Sequence, residues 1–172
     1  SQVTIERETY QLPTPFMVIA TQVEAGGEGT YPLTNLQLDR FLLRAESQYP
    51  SKEEEKQIIT NIDKIDNPDI KKVISPNEIK DLRNAAMQVQ VSPAIVEYAA
   101  TIIDSLRSDP DVLTAPSSRA GISLYKCSRV LALLDERDFV IPDDIKHLTF
   151  RVIGHRIRVK PEAEMDDITP KM

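Results

Sequence analysis

The stretch "EGTYPLTNLQLDRFLL", residues 28–43, joins a glycine-bearing turn to a short apolar segment and sets one arginine, Arg40, between Asp39 and Phe41. Leu36, Leu38, Leu42 and Leu43 stand around it. A guanidinium is always charged and carries five N–H donors in a planar fork. In so apolar a setting it is either neutralised by an acid of its own chain, for example Asp39, or aimed at an acceptor outside the chain. The segment "TNLQLDRFLL" reads as a short helix or as a helix running into a strand.

Toward the N-terminus, "QVTIERETYQL" alternates in part, with Val3, Ile5 and Tyr10 spaced by polar residues. The pattern predicts a hairpin centred on residues 6–8, although no glycine marks its turn. "PFMVIAT", residues 15–21, is an unbroken apolar run opened by a proline. That is the pattern of a strand buried on both faces of a parallel sheet. One such strand makes no sheet, so its neighbours are expected from an upstream segment or from another chain.

Beyond Pro50 the pattern changes to helices with legible starts. Ser51 with Glu54 and Ser75 with Glu78 form capping boxes, and Pro76 takes the first helical position of the second. Ser92 and Pro93 open a third helix, Ser117 or Ser118 caps a fourth, and Pro142 opens a fifth. Apolar periodicity predicts their buried faces. These are Ile58, Ile59, Ile62 and Ile65; then Ile79, Leu82, Ala86 and Val89; then Val96, Ala99, Ala100, Ile103 and Leu106. The fourth helix should bury Ile122, Tyr125, Leu131 and Leu134, and the fifth Ile145, Leu148, Val152 and Ile153. "SDPDVLTAP" between the third and fourth reads as a loop. The expected fold is therefore mainly α: a bundle of about five helices preceded by a partial α/β segment.

Composition narrows the function. The 172 residues suit one ordinary domain or two small ones, and 41% apolar with 28% charged residues reads as a globular protein. A net charge of −6 gives no general attraction to nucleic acid or anionic membrane. The single cysteine, Cys127, excludes an internal disulfide and a multi-cysteine metal site, and its helical context predicts a buried thiol. No apolar run reaches membrane-spanning length and no signal peptide opens the chain, which points to a cytoplasmic protein. The chain does not begin with methionine and reads as a piece of a longer protein.

His147 and His155 have no second ligand at metal-binding spacing, so no metal site is expected. "VIGHRIRV", with His155 beside Arg156 and Arg158, reads as a solvated helix end. Asp143 and Asp144 read as ordinary acids at a helix start. The five glycines, Gly26, Gly27, Gly29, Gly121 and Gly154, do not fit G-x-x-x-x-G-K-[ST], the loop whose N–H groups cradle phosphates.

Several segments together carry a resemblance. "LPTPFMVIATQ", "EGTYPLTNLQLDRFLL", "YPSKEEEKQII", "ISPNEIKDLR", "VSPAIVEYAATIIDSLR", "TAPSSRAGISLYKCSRVLALLDERDFVIPDDIKHL" and "VIGHRI" resemble, in order and spacing, the C-terminal half of MoxR-type AAA+ ATPases, in the helix-2-insert clade with magnesium-chelatase subunits. The resemblance implies that residues 1–48 are the end of an α/β core, with the sensor 1 strand and arginine-finger segment. Residues 49–172 would be the helical lid with sensor 2. In that family ATP lies between core and lid, and a neighbouring subunit supplies an arginine.

Residue by residue, Arg40 in "LDRF" matches the arginine finger acting in trans, and Arg119 in "APSSRAGISL" matches sensor 2. Thr21 and Gln22 fall in the sensor 1 region. Two departures stand out: Ser118 replaces a usual proline, and Val23 replaces the asparagine that orients the attacking water. Glu28 is either an acid near the interface or a turn residue.

The implied cofactors are ATP and Mg²⁺ in the intact protein, with none for this chain, which lacks the phosphate loop and is expected to be inactive alone. The implied partners are further copies in a homo-oligomeric, hexameric ring and a client protein carrying a von Willebrand factor A domain. Neither nucleic acid nor direct membrane insertion is expected. The alternative is a non-catalytic helical interaction module from a degenerate AAA+ paralogue. The changed sensor 1 loop and the missing phosphate loop favour it, whereas the retained Arg40 and Arg119 favour the ATPase.

Overall fold

The computed structural model describes residues 2–22, 33–166, 168 and 169. Val23, Glu24, Glu28 and the three glycines of the turn lie outside the described residues. The expected hairpin is present: β1 (Gln2–Ile5) pairs antiparallel with β2 (Glu8–Gln11), Val3 opposite Tyr10. Its two-residue turn holds Glu6 at φ 50° and Arg7 at φ 74°. Those left-handed values match the twist of a tight hairpin, here reached without glycine.

The apolar run after it departs from the expectation of a buried strand. Residues 15–21 form no strand, and Phe16, Met17, Val18 and Ile19 are exposed. A strand needs a neighbour to accept its ladder hydrogen bonds, and among the described residues none lies beside this run.

α1 (Asn35–Leu38) is a single turn, capped reciprocally by Thr34 and Gln37. α2 (Lys52–Thr60) has the Ser51–Glu54 capping box, and α3 (Ile62–Asp66) follows directly. Their expected stripe is not buried: Ile58, Ile59, Ile62 and Ile65 are all exposed, because among the described residues no element of the bundle covers that face. α4 (Pro76–Gln88) has the Ser75–Glu78 box, but only its C-terminal end enters the core. Ala86 and Val89 are buried while Ile79 and Leu82 remain exposed.

The rest of the chain builds the bundle: α5 (Pro93–Ser108), β3 (Val112–Thr114), α6 (Ser118–Leu134), α7 (Pro142–Ile153), β4 (Arg158–Val159) and α8 (Pro161–Met165). α6 is central, with α4, α5 and α7 packed against it. Its inward face is Ala120, Ser123, Leu124, Cys127, Ser128 and Ala132, whereas Ile122, Tyr125 and Leu134 point outward. This corrects the stripe read from the sequence. A helix contacted on several sides needs small residues where neighbouring axes approach to about 8–10 Å. The face of α5 is likewise rotated: Ile95, Ala99 and Ile103 are buried and Val96 is exposed. α7 behaves as read, with Ile145, Leu148, Val152 and Ile153 all buried. Each such side chain contributes roughly 1.5–3 kcal/mol.

Two features missed in the sequence place the site. The "SDPDVLTAP" loop contains β3, which pairs antiparallel with β4 through Val112 with Val159 and Thr114 with Arg158. This pairing sets the start of α6 beside the chain that leaves α7. At that exit stands Gly154, where a Cβ would lie 2.7 Å from the Phe150 carbonyl oxygen. The tight exit is followed by His155 and Arg156, which are buried rather than solvated.

Candidate functional site

The site begins at Asp39, the residue that closes α1. Its carboxylate is largely buried, with 13% of the side chain exposed, and three groups converge on it. The Ser117 hydroxyl lies 2.9 Å from both carboxylate oxygens. The Arg119 Nη1 donates to Oδ2 at 3.2 Å, and the Arg156 Nε donates to Oδ1 at 3.2 Å. Ser117 is also the N-cap of α6, accepting the Arg119 amide at 3.2 Å. One acid therefore ties α1, the start of α6 and the exit of α7 together. Burial pushes the Asp39 carboxyl up, but the Ser117 hydroxyl, Arg119 and Arg156 outweigh it and hold it below the usual carboxylate range.

Arg156 anchors the arrangement. Its side chain is 2% exposed. Besides Asp39 it donates to the carbonyls of Phe41, Leu42 and Val152 and to the Ser123 hydroxyl. Burial lowers its pKa and the Asp39 charge opposes that fall, so the guanidinium stays charged at neutral pH. His155 Nε2 donates to the Phe41 carbonyl at 3.2 Å, and the Arg44 amide donates to the Arg151 carbonyl at 2.8 Å. A cation this deeply buried is tolerable only because nearly every donor finds an acceptor. Three of those acceptors are the carbonyls of Asp39, Phe41 and Leu42, so Arg156 and His155 hold the turn that carries Arg40.

Arg40 itself is exposed, and its guanidinium makes no ion pair or hydrogen bond among the described residues. The home ion pair with Asp39, the alternative raised by the sequence, is not made: Asp39 is occupied by Arg119 and Arg156. The Arg119 side chain is 59% exposed and joins the same turn through Asp39. Thr21 and Gln22 are exposed, and no hydrogen bond brings them to either arginine.

Sequence reasoning names Asp39 only as a partner for Arg40, Ser117 only as a candidate helix cap and Arg156 only within a solvated helix end; it does not bring the three together. The available signal was the acid next to Arg40, read only as a partner for that arginine. Asp144 also does more than a helix-start acid. It accepts from both Arg137 terminal nitrogens, at 2.9 and 2.7 Å, and from the Ile141 amide at 2.9 Å. Among the described residues no three His, Cys, Asp or Glu side chains converge as metal ligands, and no helix is long and apolar enough to cross a membrane.

Comparison with known proteins defines the class first. Residues 1–43 match the family profile "ATPase family associated with various cellular activities (AAA)", and residues 105–172 match "AAA lid domain". The chain is 38% identical over 167 residues to the uncharacterized protein YeaC of Bacillus subtilis, covering 96% of this chain and 52% of that protein. It is 33% identical over 179 residues to chaperone MoxR1 of Mycobacterium tuberculosis, covering 99% of this chain and 47% of that protein. A crystal structure of a candidate ATPase from Cytophaga hutchinsonii superimposes with a TM-score of 0.86 at 31% identity, covering 99% of this chain and 55% of the other. The chain thus spans about half the length of the curated relatives it matches. It belongs to the MoxR-type AAA+ ATPases, matching their C-terminal part.

Proposed function

We propose that this chain is the sensor and lid half of a ring-forming ATPase, in which ATP binding and hydrolysis drive chaperone-like remodelling of partner proteins. Residues 1–48 complete the α/β core and residues 49–172 form the lid. The observation that carries the reading is the contrast between two neighbours. Asp39 is committed to its own chain through Ser117, Arg119 and Arg156, while Arg40 extends unpaired among the described residues. An unpaired cation on a turn gripped by buried donors supports a role toward an acceptor on another molecule.

ATP with Mg²⁺, bound in the intact protein, supplies the phosphoryl group and part of the charge compensation. Arg40 would reach the γ-phosphate held by the neighbouring subunit, where charge spreads over the transferring oxygens and forked donors offset it. Arg119 would add a second cation from the first turn of α6. Either Thr21 or Gln22 would take part of the water-orienting role that Val23 cannot fill, or hydrolysis is slow. A homo-hexameric ring, a cytoplasmic setting and a client with a von Willebrand factor A domain complete the proposal.

The test is Arg40→Ala in the intact protein. We expect hydrolysis to fall by at least about a hundredfold, since such arginines contribute roughly 10³–10⁵ in turnover. ATP affinity should stay within roughly threefold of wild type, because the residue acts on a neighbour's nucleotide. Wild-type turnover in this variant rules the assignment out.

A further inference from the structure

The proposed function uses Arg40 and Arg119 and leaves the acid beside them without a task. Asp39 lies one residue from Arg40, and its Oδ2 takes the Arg119 Nη1 at 3.2 Å. Its Oδ1 is held by Arg156, whose side chain is 2% exposed, while Arg119 is 59% exposed. The two arginines therefore stand in different roles toward one carboxylate. Arg156 is a fixed anchor with five further contacts to backbone and to Ser123. Arg119 is a solvent-facing side chain with a single ion-pair partner among the described residues.

A long exposed arginine without such a partner samples many rotamers, and ordering it for a ligand costs side-chain entropy. An exposed ion pair adds little stability of its own. The contact therefore contributes chiefly to where Arg119 sits.

We propose that Asp39 is a positioning residue: anchored by Arg156 and Ser117, its carboxylate holds the Arg119 guanidinium against the turn that carries Arg40, so that lid helix and finger turn present their cations to a phosphate as one unit. This rests on the phosphate-facing reading of the two arginines. Asp39 touches no reacting atom; it acts through Arg119. Ser117 supports it twice, by donating to the carboxylate and by capping the helix from whose first turn Arg119 departs.

The experiment measures steady-state ATP hydrolysis by the intact protein carrying Asp39→Asn, Arg119→Ala, or both, beside Arg40→Ala. Asparagine keeps the shape and an acceptor oxygen but removes the charge. We expect Asp39→Asn to lower kcat by about tenfold with KM for ATP within roughly threefold. In the Arg119→Ala background the same change should have no further effect, because coupled residues are not additive. Asp39→Glu should recover part of the loss. A kcat within about twofold of wild type for Asp39→Asn, or losses that multiply in the double variant, overturns the proposal.

Should Asp39→Asn fail to assemble, Ser117→Ala is read in its place. It should lower kcat by about threefold alone and have no effect on Arg119→Ala, and an unchanged kcat overturns the proposal. Arg40→Ala separates the two claims. If it abolishes turnover while the cycle is additive, only the role of Asp39 fails; if it leaves turnover intact, the underlying finger reading fails whatever the cycle shows.

Discussion

Asp39 and Arg156 meet at 3.2 Å although 117 residues separate them along the chain. The pair joins the turn after α1 to the exit of α7, and Arg156 reaches the carbonyls of Asp39, Phe41 and Leu42, with His155 sharing that of Phe41. The position of Arg40 is thus a property of the lid as much as of its own segment.

Replacing Arg156 with methionine keeps the stem and removes the donors. Asp39, four carbonyls and the Ser123 hydroxyl then each lose a donor in a buried setting, although Asp39 keeps Ser117 and Arg119 and the Phe41 carbonyl keeps His155. Breaking a buried pair on one side typically costs about 3–5 kcal/mol. We expect a loss near 3 kcal/mol in denaturant unfolding and faster amide exchange over residues 39–44. A loss under about 1 kcal/mol, with unchanged exchange, means the anchor is dispensable.

The packing of α6 reverses the reading of two leucines, since periodicity puts Leu134 on the buried face and leaves Leu124 out. Leu124 is fully buried and Leu134 is 72% exposed. Leu124→Ala should cost about 3–5 kcal/mol by transfer and cavity effects, and Leu134→Ala less than about 0.5 kcal/mol. Unfolding midpoints of the two variants give the comparison directly; equal losses contradict the observed face.

Stability should fall as the medium is acidified, in two stages. Burial, then the charges of Arg156 and Arg44, hold the His155 pKa below its usual value, against the pull of the Phe41 carbonyl. A lowered folded pKa means the unfolded chain binds the proton first. The contribution is full above about pH 6.5 and is lost as pH falls through the folded value. Asp39 and Asp144 are also held low. For Asp144 burial acts upward, and the Arg137 bonds, the Ile141 amide and the Arg137 charge outweigh it. Their contribution is full above about pH 4 and is lost as pH falls through their folded values. His155→Gln, which keeps a donor for the Phe41 carbonyl, should flatten the first stage only. A thermal midpoint that stays constant from pH 7.5 to 5 in the parent protein excludes this role for His155.

Cys127 offers a probe of bundle integrity. Burial raises its thiol pKa, against the nearby charges of Arg156 and Lys126, and the residue is 8% exposed. Thiolate is the reactive form, so native protein at pH 8 should react with a disulfide reagent far more slowly than denatured protein. Equal rates under the two conditions indicate that α6 is not packed as described.

Local chemistry was legible in the residues themselves. The hairpin around residues 6–8, the Ser51–Glu54 and Ser75–Glu78 capping boxes and the buried face of α7 each depend on side chains within a few positions of one another. Hydrogen-bonding groups at that range meet whatever the rest of the chain does. β3 escaped notice because three residues of extended chain carry too little periodicity to distinguish them from a loop.

What the tertiary structure decided is which partner each element found. The apolar run at residues 16–19 and the four isoleucines of α2 and α3 have the composition of a core, yet no described element covers them. α6 turned its small residues inward because three helices press on it. Asp39 bypassed the arginine beside it for two others, 80 and 117 residues away. Adjacent residues on a turn diverge, and a carboxylate pairs with the donors that long-range packing brings to it. The sequence alone determined that Asp39 and Arg40 stand side by side; only the folded chain assigned one to its own lid and left the other, among the described residues, unpaired.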